Sequence, residues 1–437
     1  MLEYLKLDNV GPSPRMEMDL SNRLNLLTGD NGLGKSFLLD IAWWALTRKW
    51  PRDVNPRLVS GFSARPRDVK RDAVIEFGLK TASGKRVSYK SKYVAREEAW
   101  LGSPGRPPNP GLVIYAQADG GFSVWDPARN YWKTRDGVDV QDRLPAFVFS
   151  PQEVWDGLEV EVNGTRRVVC NGLVRDWAGW MKEGGSGAKN MALALKSLSP
   201  SNLARDRLSP GPLDRISLDD ARDIPTIKMG KSGPTPILYA SSGVRRIAAL
   251  AYMLLWCWKE NAVAAKQIGE NRANQVVMIV DEIESHLHPR WQRTILNSIM
   301  KMAAALHKTA HLQLIVSTHS PLVLASSEPT FSPESDSWFD LDLVEGPASS
   351  NVVFTKREFV RHGDVSNWLT SEAFDLKSAR SAEAESAIEK ARELLRNPET
   401  PTKATLKLVD TELRQAGLPD IDPFWVRWGK FVQEVGK

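Results

Sequence analysis

The sequence predicts an α/β fold: a mixed β-sheet core between helices, with an antiparallel β insertion, a helical arm and a mostly helical C-terminal region. Three observations predict it. Two apolar runs, Val276–Val280 and Leu312–Ser317, each follow a helical pattern, and continuous apolar strands alternating with helices mark a parallel sheet covered on both faces. A glycine-rich loop at 29–36 lies between the apolar strand LNLLT and the apolar helix FLLDIAWWAL. Between about residues 50 and 147 the texture changes to short alternating segments separated by turn clusters, as in an antiparallel sheet.

Taken in order, Leu2–Leu7, Arg15–Leu20 and Arg23–Thr28 read as strands, and 36–50 (SFLLDIAWWALTRKW) as a helix. The β-rich insertion (about 50–147) contains AVIEFGLK, KRVSYKSKYVA, GLVIYAQ, GFSVWD and AFVFS, with turns at Thr81–Ser83 and Asp119–Gly121 and a proline- and glycine-rich loop at 102–111. A helical arm follows over about 153–238, with a GGSG break at 184–187. The segment 239–325 holds helices at about 242–260 and 289–307 alternating with the two apolar strands, which closes a domain at 1–345. The remainder, 346–437, is expected to be mostly helical, because Ala379–Arg396 is rich in helix formers with charges suited to a solvated face. No internal repeat and no sustained heptad seam is present, so no long coiled-coil arm is expected.

Composition narrows the function classes. Of 437 residues, 42% are apolar and 25% charged, which excludes a disordered or fibrous chain. The longest apolar run, Ile247–Trp258, is 12 residues, short of the ~20 needed to cross a bilayer. Glu3 and Asp8 stand where a secretory h-region would lie, and two cysteines exclude a disulfide framework, so a cytoplasmic location with no membrane contact is expected. The net charge of +5 permits nucleic acid as a partner without requiring it. The basic segment 48–71, with Trp50 and Phe62 interleaved, is the natural place for such contact, though an ordinary solvated loop accounts for it better.

The chemistry concentrates in a few places. Gly29-Asp30-Asn31-Gly32-Leu33-Gly34-Lys35-Ser36 fits G-x-x-x-x-G-K-[ST] in full. Glycines let backbone N–H groups turn inward around a polyphosphate, and the following helix N-terminus adds its dipole. Lys35 is placed to reach the β- and γ-phosphates and Ser36 to hold magnesium. The apolar strand VVMIV ends in Asp281-Glu282, a pair suited to holding Mg2+ and polarising a water. The next apolar strand ends in Thr318-His319-Ser320. His286/His288 and His307/His311 are close pairs without further ligands at a recognised spacing, so no metal centre is expected there. Asp340-Leu341-Asp342 reads as part of an alternating strand rather than a nuclease site, and the tail 421–431 as core packing.

In this order the motifs resemble the soluble RecF/SMC/OLD-like branch of the ABC-type ATPases. The resemblance implies ATP and Mg2+ as cofactors, with Asn31, Gly32, Gly34, Lys35 and Ser36 on the nucleotide and Ser36, Gln152 and Asp281 on the metal. Glu282, His319 and Gln152 become the catalytic set, Gln152 through Phe149-Ser150-Pro151-Gln152, which looks like a Q-loop. Tyr239–Arg246 looks like a variant signature motif, which implies that Ser241, Ser242 and Gly243 contact the nucleotide of a second subunit. Ser285–His288 takes the D-loop position. CNGLVRDWAGW, YASSGVRRIAALAYMLLW and the DPFW tail look like ATPases of bacterial anti-phage systems, of the Septu and retron-linked type. That likeness implies a nucleotide-dependent homodimer, or a higher oligomer, working beside a separate HNH-type nuclease. The alternatives are a DNA-binding repair ATPase of RecF/SMC type and, less favoured, a transporter ATPase subunit. No nuclease activity is expected from this chain alone.

Overall fold

The computed structural model describes all residues except 103–107, 131–142, 163, 307–309, 346–349, 375, 397–401 and 436–437. The chain begins with β1 (Leu2–Asp8), β2 (Arg15–Asp19), β3 (Leu24–Gly29), α1 (Lys35–Thr47) and α2 (Pro51–Val54). Next come β4 (Val74–Lys80), β5 (Arg86–Val94), β6 (Ala99–Trp100), β7 (Leu112–Ala116), β8 (Phe122–Trp125), α3 (Pro127–Asn130), β9 (Phe147–Phe149) and α4 (Pro151–Asp156). A hairpin, β10 (Leu158–Val162) and β11 (Thr165–Cys170), precedes α5 (Gly172–Glu183), α6 (Ser186–Ser197), β12 (Leu208–Asp214), β13 (Ile224–Met229) and β14 (Thr235–Pro236). The next stretch runs α7 (Ser242–Gln267), β15 (Gln275–Val280), α8 (Pro289–Gln292), α9 (Ile295–Leu306), β16 (His311–Ser317), α10 (Pro321–Ser327), β17 (Asp336–Glu345) and β18 (Ser350–Arg357). Helices α11 (Val365–Leu369), α12 (Ala382–Arg396), α13 (Lys403–Gln415) and α14 (Phe424–Val435) complete the described chain.

The α/β fold is present. An eight-stranded sheet has the order β18-β17-β3-β16-β15-β7-β8-β9. Its five middle strands, β17 to β7, are parallel, and β18, β8 and β9 are added in antiparallel pairs. A second sheet, β2-β1-β4-β5-β6, is antiparallel throughout. Helix α1 belongs to the core cluster shared by residues of both sheets, which explains why nearly all of it is buried rather than one stripe. Trp43 is fully buried there, and Trp44 stacks on Trp50 at 5.4 Å.

Three expectations about organisation need correction. The segment 50–147 is not one insertion: β4–β6 extend the sheet begun by β1, whereas β7–β9 belong to the core sheet. The reason is visible in burial, since LVIYA is buried at every position, as a central strand must be, while Arg86–Val94 alternates. The arm at 153–238 is only half helical. Its GGSG break falls where expected, with Gly184 (φ 65°) closing α5 and Gly185 opening α6, but β10–β11 and β12–β14 form two small antiparallel sheets. The first compact unit ends at Gly363, not 345, because β18 pairs with β17 along its whole length.

The second unit, Asp364–Lys437, has its own core of Ile388, Leu406, Leu413, Trp428 and Phe431 among others. The aromatic tail therefore packs inside that unit. Among the described residues no helix is long and apolar enough to cross a membrane.

Candidate nucleotide-binding site

Strands β3, β16 and β15 are neighbours and parallel, so their carboxyl ends open on one edge of the sheet. Those ends carry the glycine-rich loop, Thr318-His319 and Asp281-Glu282, the three motifs read from the sequence. Ligands of open α/β sheets bind outside the carboxyl ends of strands, so this placement is the chemically competent one.

The loop has the backbone that its sequence demands. Gly29, Gly32 and Gly34 have φ of 125°, 80° and 102°, a region closed to most side chains. A Cβ on Gly29 would meet the Leu341 carbonyl oxygen at 2.2 Å, and one on Gly34 would meet Pro12 at 2.8 Å, whereas Gly32 faces open space. No side chain caps the first turn of α1, which leaves its N–H groups directed at the loop. Lys35 is buried, and its Nζ donates to the carbonyls of Gly29 and Asp30, both at 2.7 Å. Burial lowers its pKa, opposed by the nearby carboxylates of Asp281, Glu282, Asp30 and Glu284. Asn31 and Ser36 are exposed at the rim.

At the other side of this edge Asp281 is buried and accepts a 2.6 Å hydrogen bond from Ser317 Oγ. The same hydroxyl accepts from the Glu282 N–H at 2.8 Å. Glu282 has φ 46°, an uncommon conformation for a non-glycine residue, fixed by that bond. Glu284 accepts from Thr318 Oγ1 at 2.7 Å and from the His319 N–H, so it joins the turn after β15 to the loop after β16. Burial raises its pKa. His319 is half-buried, and burial together with the Lys35 ammonium lowers its pKa to about 4. It is a neutral imidazole at physiological pH.

The structure separates Gln152 from this group. Gln152 is exposed on α4 and its amide approaches Asp156 of the same helix at 3.5 Å. It follows β9, three strands from β15, which at roughly 4.8 Å per strand is about 14 Å across the sheet. The glutamine on the neighbouring strand is Gln117, at the end of β7, where the Asp281 N–H donates to the Ala116 carbonyl at 2.9 Å. Gln117 is buried, and among the described residues neither its Nε2 nor its Oε1 has a hydrogen-bond partner. Beside it Arg246 of α7 donates to the Gln117 carbonyl at 2.7 Å and leaves Nη1 unpaired. Burial lowers the Arg246 pKa against the pull of Asp119, Asp281 and Glu282. Gln117 did not stand out in the sequence, whereas Arg246 closes the signature-like segment Tyr239–Arg246. A glutamine ending an apolar strand was the only available signal.

In the signature-like segment Ser241 caps α7, its Oγ accepting from the Val244 N–H at 3.4 Å, and Ser241 and Ser242 are exposed. Gly243 is buried, and a Cβ there would meet the His286 carbonyl oxygen at 2.9 Å, so it packs on the Ser285–His288 turn of its own chain. His288 caps α8 through Nδ1, which accepts from the Arg290 N–H at 3.3 Å. Among the described residues no group of three or more histidine, cysteine or acid side chains is placed to hold a metal. His307 lies outside the described residues.

Two other sequence candidates are structural. Asp340 is fully buried and accepts from Thr28 Oγ1 at 2.6 Å, with Arg357 bridging it to Asp342. Burial raises its pKa. In the 48–71 segment the Arg48 guanidinium lies over Trp44, Phe77 and Tyr89, Arg52 lies over Phe62, and Arg57 pairs with Glu153.

The chain is similar to several known proteins. Among solved structures, an SMC head bound to the C-winged helix domain of ScpA overlays with a TM-score of 0.41 at 14% identity, over 81% of this chain and 98% of that one. The SMC head domain from Thermotoga maritima overlays with a TM-score of 0.36 at 14% identity, over 80% of this chain and 98% of that one. The "Retron Vc95 probable ATPase" of Vibrio cholerae serotype O1 biovar El Tor is 30% identical over 115 residues, which span 26% of this chain and only 18% of that protein. Residues 24–325 match the family described as "AAA domain, putative AbiEii toxin, Type IV TA system". That match covers well over half of the chain and contains every motif at the sheet edge, and the protein belongs to this AAA-domain family.

Proposed function

We propose that the protein binds and hydrolyses Mg-ATP and acts as a nucleotide-dependent dimeric switch, regulating a separate nuclease in bacterial anti-phage defence. The observation that carries this reading is the gathering of Lys35, Asp281, Glu282 and His319 at the carboxyl ends of three adjacent parallel strands.

Each side chain has a role its surroundings suit. The N–H groups of the glycine loop and of the α1 first turn bind phosphate oxygens, and Lys35 exchanges its carbonyl partners for the β- and γ-phosphates. Glu282 accepts a proton from the attacking water. His319, held neutral, donates one hydrogen bond without adding charge. Glu284 fixes the loop that carries it. Ser36 and Asp281 would hold magnesium, which supplies charge neutralisation to the transferring phosphoryl group. The exposed Ser241 and Ser242 at the α7 N-terminus suit contact with the γ-phosphate on a second copy. The likeness to a protein named as a probable retron ATPase supports the ATPase reading, and the defence role and nuclease partner rest on the motif resemblance to anti-phage ATPases.

The test is sedimentation velocity of the Glu282→Gln variant with saturating Mg-ATP. The expected result is an ATP-dependent dimer that persists because hydrolysis is blocked. A variant that binds ATP and stays monomeric overturns the switch.

A further inference from the structure

The helix α9 has two different faces. Ile295, Leu296, Ile299 and Met302 are buried, while Thr294, Asn297, Ser298 and Lys301 recur at the i, i+3, i+4, i+7 spacing that makes one continuous polar stripe. That stripe is one wall of a cleft. The opposite wall is the end of α6 and the loop after it, from Leu193 to Asp206, with Leu193 and Leu203 as its exposed apolar side chains. Two adjoining cavities of about 420 and 440 Å3 share Ser201, Asn202, Arg293 and Thr294 and so form a single groove.

The chemistry of the groove is one-sided. Five cations line it, Lys196, Arg205, Arg290, Arg293 and Lys301, against one acid, Asp206. Asp206 is already engaged by Arg290 at 3.1 Å and by Ser201 Oγ at 2.7 Å. Among the described residues no carboxylate pairs with Lys196, Arg205, Arg293 or Lys301, and all four are exposed. In the 48–71 segment, by contrast, Arg48 and Arg52 lie over aromatic rings, Arg57 and Arg65 pair with Glu153 and Glu98, and Arg67 donates to the Pro12 carbonyl. Serine hydroxyls and asparagine amides fill the space between the free cations, which are the groups that bind phosphate oxygens beside lysine and arginine. Among the described residues no aromatic side chain lines the groove, so they offer no platform on which an unpaired base could stack.

We infer that this groove between α6 and α9 is a nucleic-acid contact surface that holds the phosphate backbone of a duplex without reading its sequence. Arg290 is the second residue of α8, eight residues after Glu282 in the chain. The inference does not depend on whether ATP is hydrolysed.

The experiment is fluorescence anisotropy of the full chain with a labelled random-sequence DNA duplex of about 30 base pairs and with the matching single strand, over a series of salt concentrations. The expected result is duplex binding preferred over the single strand, with affinity falling steeply with salt. Charge reversal at two exposed positions, Arg293→Glu with Lys301→Glu, is expected to weaken duplex binding about tenfold or more and to flatten the salt slope by about one for each phosphate no longer neutralised. A second measurement uses the unaltered protein: the duplex should shield Lys196 and Lys301, but not Lys85, from an amine-reactive acetylating ester. The inference is overturned if the duplex does not bind, if the single strand is preferred, if the doubly reversed protein binds unchanged, or if Arg65→Glu with Arg67→Glu abolishes binding instead. It is equally overturned if the groove lysines stay reactive while polyglutamate shields them.

Discussion

Lys35 and Gln117 follow β3 and β7, two strands of one sheet, and they became visible in different ways. The lysine is dictated by its own loop: once three glycines take positive φ, the next residue begins α1 with its side chain turned back over the loop. Which glutamine approaches Asp281 depends instead on the strand order β15-β7-β8-β9, which no local pattern encodes. Gln117→Ala is therefore expected to lower ATP turnover about tenfold or more, and Gln152→Ala to leave it within about twofold, in a phosphate-release assay. Asp40 gives a second residue-scale prediction. It lies on α1, accepts from the Tyr115 hydroxyl at 3.0 Å, and burial lifts its pKa to about 7 from 3.8. A carboxyl raised in the folded state binds its proton more tightly there than in the unfolded chain. Its contribution to stability is thus fully present below about pH 4 and is lost as pH rises toward 7. The unfolding midpoint should fall across that interval, by an equivalent of up to about 4 kcal/mol at the extreme. Asp40→Asn keeps the acceptor and should flatten the fall. A variant with the same pH dependence as the parent would refute this assignment.

At the scale of elements, α1 is where local and long-range requirements agree. Its apolar run has too many large residues for a surface helix, and the fold answers by enclosing it between two sheets. Trp43 is fully buried and, among the described residues, its indole N–H has no hydrogen-bond partner, so its contribution is packing. Trp43→Ala is expected to cost about 3–5 kcal/mol in urea unfolding, the range for removing a large buried aromatic. A loss under about 1 kcal/mol would show that the two sheets do not close on this helix. The five elements that hold the site, β3, α1, β15, β16 and α7, were all legible, because each is long and continuously apolar or strongly periodic. Strands β12 to β14 were not. LSPGPLD carries two prolines and a glycine, which read as a loop, and it pairs only because Ile224–Met229 supplies a regular partner. The basic run at 48–71, read chiefly as an ordinary solvated loop, is instead engaged in part: Arg48 lies on ring faces and Arg57 pairs with Glu153, contacts set by tertiary packing.

At the scale of the molecule, the two units have separate cores, and every motif of the nucleotide site lies in the first. A chain ending at Gly363 is expected to fold and to bind ATP with affinity within about threefold of the parent. Failure to fold would mean that the second unit completes the core of the first. The central claim is that the glycine loop of β3–α1 holds a triphosphate against the carboxylates of β15. Titration calorimetry of the full chain with ATP and magnesium tests it most directly, alongside Lys35→Ala, which leaves the backbone of the loop in place. One saturable site per chain is expected, abolished in the variant. An absence of heat and binding in the parent, or undiminished affinity in Lys35→Ala, would contradict it.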